Sequence, residues 1–302
     1  MTKIVFFGTG PVAAASLRFL VDRFEIEAVI TKPRAKSHKG SVPVEELAQE
    51  KGLPLHFSNN KADLDDLFNN HSFVSPSGIV VDFGIIISQQ VIDSFPKGII
   101  NSHFSLLPQW RGADPISYTI LSGQPKTGVS LMVIDVGLDT GKLIMQRTIA
   151  VDSKETTGTL TDKLVDLSNT LLAEYVPHYL ADEITPKNQP HPDRATHSHK
   201  LSKSESIINW DEAAEVIERK IRAFLPWPKA RTKIGQIECI ILDADILADD
   251  SGKKPGTLTV SAHQLIVSSG AGSLSINSLQ PLGKKEMPVT AFLAGYRSQL
   301  DT

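Results

Sequence analysis

A single cysteine, Cys239, in 302 residues leaves no partner for an internal disulfide, so the fold must rest on packing rather than cross-links. It stands in Glu238-Cys239-Ile240-Ile241-Leu242, where a small buried hydrophobe is expected rather than a nucleophile. Long apolar runs are missing too. The longest, 79–81 with 83–87 and 239–242, fall far short of the roughly 18 residues a membrane-spanning helix needs. Met1-Thr2-Lys3 is followed at once by Ile4-Val5-Phe6-Phe7, too short an apolar stretch for a secretory signal, and a cytoplasmic protein is expected. Positive charge is not in excess: a net charge of −3 argues against a chain that coats nucleic acid, while leaving local fields open. His191, His197 and His199 have no cysteine or acidic cluster beside them, so no metal is expected.

What is present is a globular composition, 41% hydrophobic and 22% charged, on a chain long enough for one large domain and a smaller one. Residues 1–182 alternate β-branched runs with helical patterns, which predicts an α/β, Rossmann-like, mostly parallel sheet. Strands are expected at 3–7, 26–31, 79–82 and 99–103, helices at 11–22 and 43–51, a strand pair at 129–134 and 142–151, and a long helix at 159–180. Residues 183–204, with Pro186, Pro190 and Pro192 and no periodic apolar face, read as a linker. In 205–302 a helix at 212–223 precedes short strands punctuated by Gly235, Gly252, Gly256, Gly270, Gly272 and Gly283, the pattern of a small OB-like β-barrel. A monomer is expected.

Gly8-Thr9-Gly10-Pro11-Val12-Ala13 follows the first strand and opens a helix, which matches the dinucleotide fingerprint and raises an NADP oxidoreductase as an alternative. The acid that would hold a ribose hydroxyl is replaced by Thr31-Lys32, and Pro11 removes a backbone N–H that would face a pyrophosphate. A tight turn without nucleotide is the better reading.

Asn101-Ser102-His103 ends a strand, where ligands of open α/β sheets sit. Two apart on an extended chain, Asn101 and His103 point to one side. Asp139 lies in Asp135-Val136-Gly137-Leu138-Asp139-Thr140-Gly141, a loop between two strands. Singly, each residue has an ordinary structural explanation. Together, Asn101-Ser102-His103-Phe104-Ser105-Leu106-Leu107-Pro108, then Arg111-Gly112, then Leu138-Asp139-Thr140-Gly141 resemble the 10-formyltetrahydrofolate-dependent formyltransferases. In the second half, Lys200-Leu201-Ser202-Lys203, Ile208-Asn209-Trp210, Arg222 to Pro228 and Leu279 to Lys285 are similar to the members that formylate the amine of methionyl-tRNA for translation initiation. The glycinamide ribonucleotide members have a single domain; sugar-nucleotide N-formyltransferases are the alternative.

The resemblance implies that 10-formyltetrahydrofolate is the co-substrate and that Asn101, His103 and Asp139 are catalytic. It places folate on Phe83, Gly84, Ile85 and Ile87 and on Ser105, Leu106, Leu107 and Pro108. It also assigns two acid-free basic tracts to tRNA: Lys32, Arg34, Lys36 and Lys39 in the loop after the second strand, and Arg219, Arg222, Lys229, Arg231 and Lys233 further on. Departures include Asp82-Phe83-Gly84 in place of the family's Ala-Tyr-Gly, and Asp114 in place of a usual alanine.

Overall fold

A computed structural model of the chain describes residues 1–34, 40–247 and 252–300. β1 (Lys3–Gly8) is an interior strand of the main sheet, and Ile4, Val5, Phe6 and Phe7 are all fully buried. An unbroken apolar run is what a strand needs when helices cover both faces. Helix α1 (Gly10–Leu20) has Pro11 in its first turn and buries Ala13, Leu17 and Leu20. β2 (Glu25–Thr31), α2 (Pro43–Glu50), β3 (Leu55–Phe57), α3 (Lys61–Asn70), β4 (Gly78–Val81), α4 (Gln89–Asp93) and β5 (Ile99–His103) follow. Asn60 opens α3 by accepting hydrogen bonds from the Ala62 and Asp63 amides, and Ser88 opens α4 by accepting from Val91; such caps satisfy amides that have no partner within the helix.

After β6 (Arg111–Gly112) and α5 (Pro115–Ser122) come β7 (Lys126–Val133), β8 (Leu143–Ala150) and the long helix α6 (Thr157–Leu180). The seven-stranded order is β3-β2-β1-β4-β5-β7-β8. Pairings from β3 to β5 are parallel, while β7 runs antiparallel to both β5 and β8. Below one face, Val5, Phe7, Val80 and Ile99 pack with Leu64, Phe83, Val91 and Phe95. The chain divides into two compact units, the first made of Met1–Pro115, Lys126–Ala150 and Thr161–His199. Residues 183–199, read above as part of a linker, are therefore held in this unit. Lys187 bridges Leu143, and β9 (His197–Ser198) pairs with β6. These ties run through backbone groups, which is why no apolar periodicity marks them.

The second unit takes Ile116–Pro125, Val151–Leu160 and Lys200–Thr302. Its elements are α7 (Ala214–Ala223), β10 (Ala230–Ile234), β11 (Ile237–Leu247), β12 (Leu258–Val260), β13 (Leu265–Ser268), β14 (Ser273–Pro281), β15 (Met287–Pro288) and α8 (Val289–Tyr296). The antiparallel order is β10-β11-β14-β13-β12, with β15 added to β14. Among the described residues β10 and β12 do not pair with each other, so the expected barrel takes the form of a half-barrel. Ile217 and Ile221 of α7 and Phe292 of α8 fill its core with Ile241, Leu274 and Leu279. Cys239 belongs to the same core, and burial pushes its thiol up to about 11, so it is an inert hydrophobe, as its apolar neighbours implied.

Candidate active site

β5 alternates its side chains. The Ser102 hydroxyl lies 2.6 Å from that of Ser168 on α6, which turns Asn101 and His103 to the opposite face. His103 is only 6% exposed. Its Nε2 is 2.9 Å from the carbonyl oxygen of Trp110. A carbonyl can only accept, so Nε2 carries a proton and Nδ1 is left to face the site. Asp139 Oδ2 stands 3.7 Å from that Nδ1, with the Asp139 side chain 14% exposed. The same oxygen accepts a 2.7 Å hydrogen bond from the Gly112 amide, a charge-assisted contact that fixes the carboxylate. Asn101 is half-buried and, among the described residues, its carboxamide has no partner in the protein. A free amide, an imidazole and a carboxylate thus converge at the carboxyl end of β5.

The segment that follows β5 is braced from below. Ser130 on β7 accepts from the Leu107 amide at 3.1 Å and donates to the Ser105 carbonyl at 2.6 Å, while Gln146 on β8 donates to the Leu107 carbonyl at 2.8 Å. Ser105 is itself fully buried, its hydroxyl bonded to the Gln109 carbonyl. Of the folate expectations on this loop, Leu107 and Ser105 are thus buried inside the loop, and Leu106 is half-buried; Pro108 follows a cis peptide bond. Phe83 packs edge-on to Phe7 at 5.5 Å in the core, with Ile85 and Ile87 partly buried beside it and Gly84 exposed. The loops around the site keep Ile86, Val136 and Leu138 exposed.

The glycine turn is filled by the protein itself. The Thr9 amide donates to the Asp82 carbonyl at 2.9 Å, and the Thr9 hydroxyl donates to the Phe83 carbonyl at 3.3 Å. A side chain at Gly8 would strike Ala13 at 2.6 Å, so this glycine serves close strand-to-helix packing.

The basic residues divide. Lys32 donates to the Gly84 carbonyl at 2.8 Å, and Arg34 lies 3.5 Å from Glu46; Lys36 and Lys39 lie outside the described residues. In the second unit Arg222 makes a two-pronged pair with Glu218, at 2.7 and 2.8 Å, and donates to the Glu155 carbonyl at 2.7 Å. Arg219 donates to the Leu121 carbonyl at 3.1 Å. Both are committed to the fold. Lys229, Arg231 and Lys233 have no ion pair among the described residues. Arg231 and Lys233, two apart on β10, line a cavity of about 390 Å³ with Ile207, Ile240 and Leu282. Among the described residues no cluster of three or more His, Cys, Asp or Glu could hold a metal, and no helix is long and apolar enough to cross a membrane.

One residue that sequence reasoning passed over is Gln189, 7% exposed. Its Nε2 donates to the carbonyls of Asp139 and Gly141, at 2.7 and 2.9 Å, and its Oε1 accepts from Arg111 at 2.7 Å. Thr196 is a second: its hydroxyl accepts from the Trp110 amide at 2.9 Å. Neither stands in a periodic pattern. No apolar period or charge pattern in the segment singles either residue out.

Comparison with known proteins places residues 2–176 under the model for formyl transferase and residues 200–297 under that for the formyl transferase C-terminal domain. The chain is 35% identical to a methionyl-tRNA formyltransferase of Hahella chejuensis, covering 97% of this chain and 94% of the relative. It is 36% identical to that of Neisseria meningitidis serogroup B, covering 97% of each. Among solved structures it is similar to an N-formyltransferase from Helicobacter canadensis in complex with folinic acid and dTDP-3-aminofucose, with TM-score 0.71 and 17% identity over 93% of this chain and all of that one. It is also similar to HypX from Aquifex aeolicus in complex with tetrahydrofolic acid, TM-score 0.63 and 15% identity over 98% of this chain and 47% of that one. At such identities the structural likeness speaks for the fold alone.

Proposed function

The chain belongs to the formyl transferase family, and we propose on that footing that it is the enzyme transferring the formyl group of 10-formyltetrahydrofolate to the free amine of methionyl-tRNA, giving N-formylmethionyl-tRNA. The observation that carries the acceptor is the full-length match, second unit included, to relatives of that name. The site supports the chemistry. The amine nitrogen bonds to the formyl carbon, the carbonyl oxygen takes up negative charge, and collapse breaks the bond to the folate nitrogen, which leaves with a proton.

Asn101 donates to the developing oxyanion from a carboxamide that makes no competing bond in the protein. His103 donates beside it. Because Nε2–H is held by Trp110, the donor is a protonated Nδ1, and Asp139 at 3.7 Å balances that charge. Asp139 also takes the amine proton through a water. Donors held in place before reaction act only on charge that appears as the bond forms, and losing one costs roughly 10²–10³ in rate. Exposed Ile86, Val136 and Leu138 offer apolar surface for the flat rings of the folate. Lys229, Arg231 and Lys233 suit the phosphates of the tRNA. The enzyme acts as a monomer in the cytoplasm.

The test is incubation of the purified enzyme with charged initiator tRNA and 10-formyltetrahydrofolate, reading N-formylmethionine. Product should form, and His103→Ala and Asp139→Ala should each lose at least 100-fold in turnover, the scale expected for a transition-state donor or base. No product from tRNA, with formylation of an amino-sugar nucleotide, would overturn the acceptor; near-normal rates in both variants would overturn the site.

A further inference from the structure

Within the loop that carries Asp139, the Asp135 carboxylate accepts from the Gly137 amide at 3.0 Å and from the Thr140 hydroxyl at 2.6 Å, contacts that flank Asp139 without reaching its own backbone. Asp139 sits at a positive φ of 52°, a left-handed state uncommon outside glycine, although aspartate is among the residues that enter it most readily. Val136 and Leu138 are exposed. The carboxylate touches the protein at Gly112 and faces His103. The backbone at Asp139 is held by Gln189 alone among the hydrogen bonds described, and the same amide nitrogen also takes the Gly141 carbonyl. Gln189 is buried, and Arg111, next to the Gly112 amide that grips the carboxylate, fixes its other end. One amide therefore joins both supports of the same acid, from behind through the loop and from the side through Arg111-Gly112.

We propose that Gln189 is a positioning residue for Asp139 and that the strap from Lys187 to Ser198 is part of the catalytic machinery rather than a connection between units. Lys187 fixes the near end of the strap on Leu143. Thr196 and Ser198 fix its far end on Trp110, Arg111 and Gly112. Trp110 is the residue whose carbonyl sets the His103 ring, so the strap bears on both ionisable members of the site. Gln189 touches no reacting atom. Its effect passes through Asp139, and the inference rests on the catalytic reading of that residue.

The test is a double-variant cycle on the full-length enzyme under single-turnover conditions, with Gln189→Met, which keeps the bulk and loses the donor, and Asp139→Asn. In the parent, Gln189→Met should lower kcat by about 10- to 100-fold, the scale of a misplacement near 1 Å, with KM for folate and tRNA within twofold. In the Asp139→Asn background the same change should cost less than threefold. An equal loss in both backgrounds, or a kcat within twofold of the parent, would overturn the proposal. If Asp139→Asn itself is near-normal, the catalytic reading of Asp139 fails instead, and that outcome also removes the ground for this one. Gln189→Glu, which turns the donor into an acceptor facing two carbonyls, should be no better than Gln189→Met; recovery of activity by Glu would equally overturn it.

Discussion

Gly112→Ala should disable the enzyme while leaving it folded. Gly112 has φ +111°, and a methyl built there would stand 2.2 Å from the carbonyl oxygen of Ser198. Cβ atoms essentially never approach a heavy atom within 3.0 Å, so β6 and β9 must part by about 1 Å. The strain of a side chain at such a φ adds about 1–3 kcal/mol. The catalytic consequence follows from the neighbouring atom: the Gly112 amide is the donor to Asp139 Oδ2 at 2.7 Å. A shift of about 1 Å takes that hydrogen bond out of range, and displacement on this scale costs about 10²-fold in rate. Formylation of methionyl-tRNA would be measured well below the thermal transition, so that strain and misplacement are separated. Gly52→Ala is the control, because Gly52 has φ +63° with no heavy atom within 4 Å of its added methyl; it should lose about 1 kcal/mol of stability and no activity. A folded Gly112→Ala enzyme within twofold of the parent rate would show that the Gly112 amide does not place Asp139.

Two further outcomes separate structure from binding and fix a pH dependence. Arg222→Ala strands the Glu218 carboxylate, whose side chain is 8% exposed, and should cost about 3–5 kcal/mol in denaturant unfolding; Lys233→Ala should leave stability alone and lower the salt dependence of tRNA binding by about one unit of log–log slope. Burial alone would raise the Glu27 carboxyl, but hydrogen bonds from the Ser75 hydroxyl and from the Val74 and Ser75 amides outweigh it and hold the group below its ordinary range. Its contribution is therefore complete above the unfolded pKa and fades as pH falls through the lower folded one, so Ser75→Ala should cost about 1 kcal/mol at pH 7 and progressively less in acid; an equal loss at both ends of a urea-unfolding series in pH would refute the coupling.

The sheet was legible wherever burial on both faces wrote an unbroken apolar run. Residues 3–7 read as a strand for that reason and are one, while 99–103 begin with Ile99-Ile100 and end in polar residues and are also a strand. The pair now seen as β7 and β8 was also legible, and the candidate trio was singled out by strand-end and loop positions and given its role by the family resemblance. What stayed hidden depends on hydrogen bonds rather than on apolar period. Strand β3 has three residues, none of them buried, and α3 buries only Leu64. Gln189 works by donating to two backbone carbonyls, which leaves no trace in a hydrophobic pattern. The pairing of Arg222 stayed hidden for a local reason: counted from Arg219 the second basic tract contains no acid, but Glu218 stands one residue before it and one helical turn before Arg222. On a helix that spacing makes a pair, and Arg222 is held by Glu218.

The glycine turn after β1 poses the sharper question, since the fingerprint is good and its usual ligand does not follow. In the order β3-β2-β1-β4-β5 the direction of winding reverses between β1 and β4, and a crevice opens there in sheets of this kind. Here the loop after β4 closes over it: Thr9 gives its amide to Asp82 and its hydroxyl to Phe83, and the Asp82 carboxylate lies 3.6 Å from where a side chain on Gly10 would begin. A pyrophosphate would meet an anion and an amide already used. The proposed chemistry lies one strand further along, where β5 ends in Asn101 and His103 and turns away through a braced loop. The fold supplies a general place for a ligand at the ends of its strands; on the proposed reading, the residues at 82 and 101–103 select which end takes one.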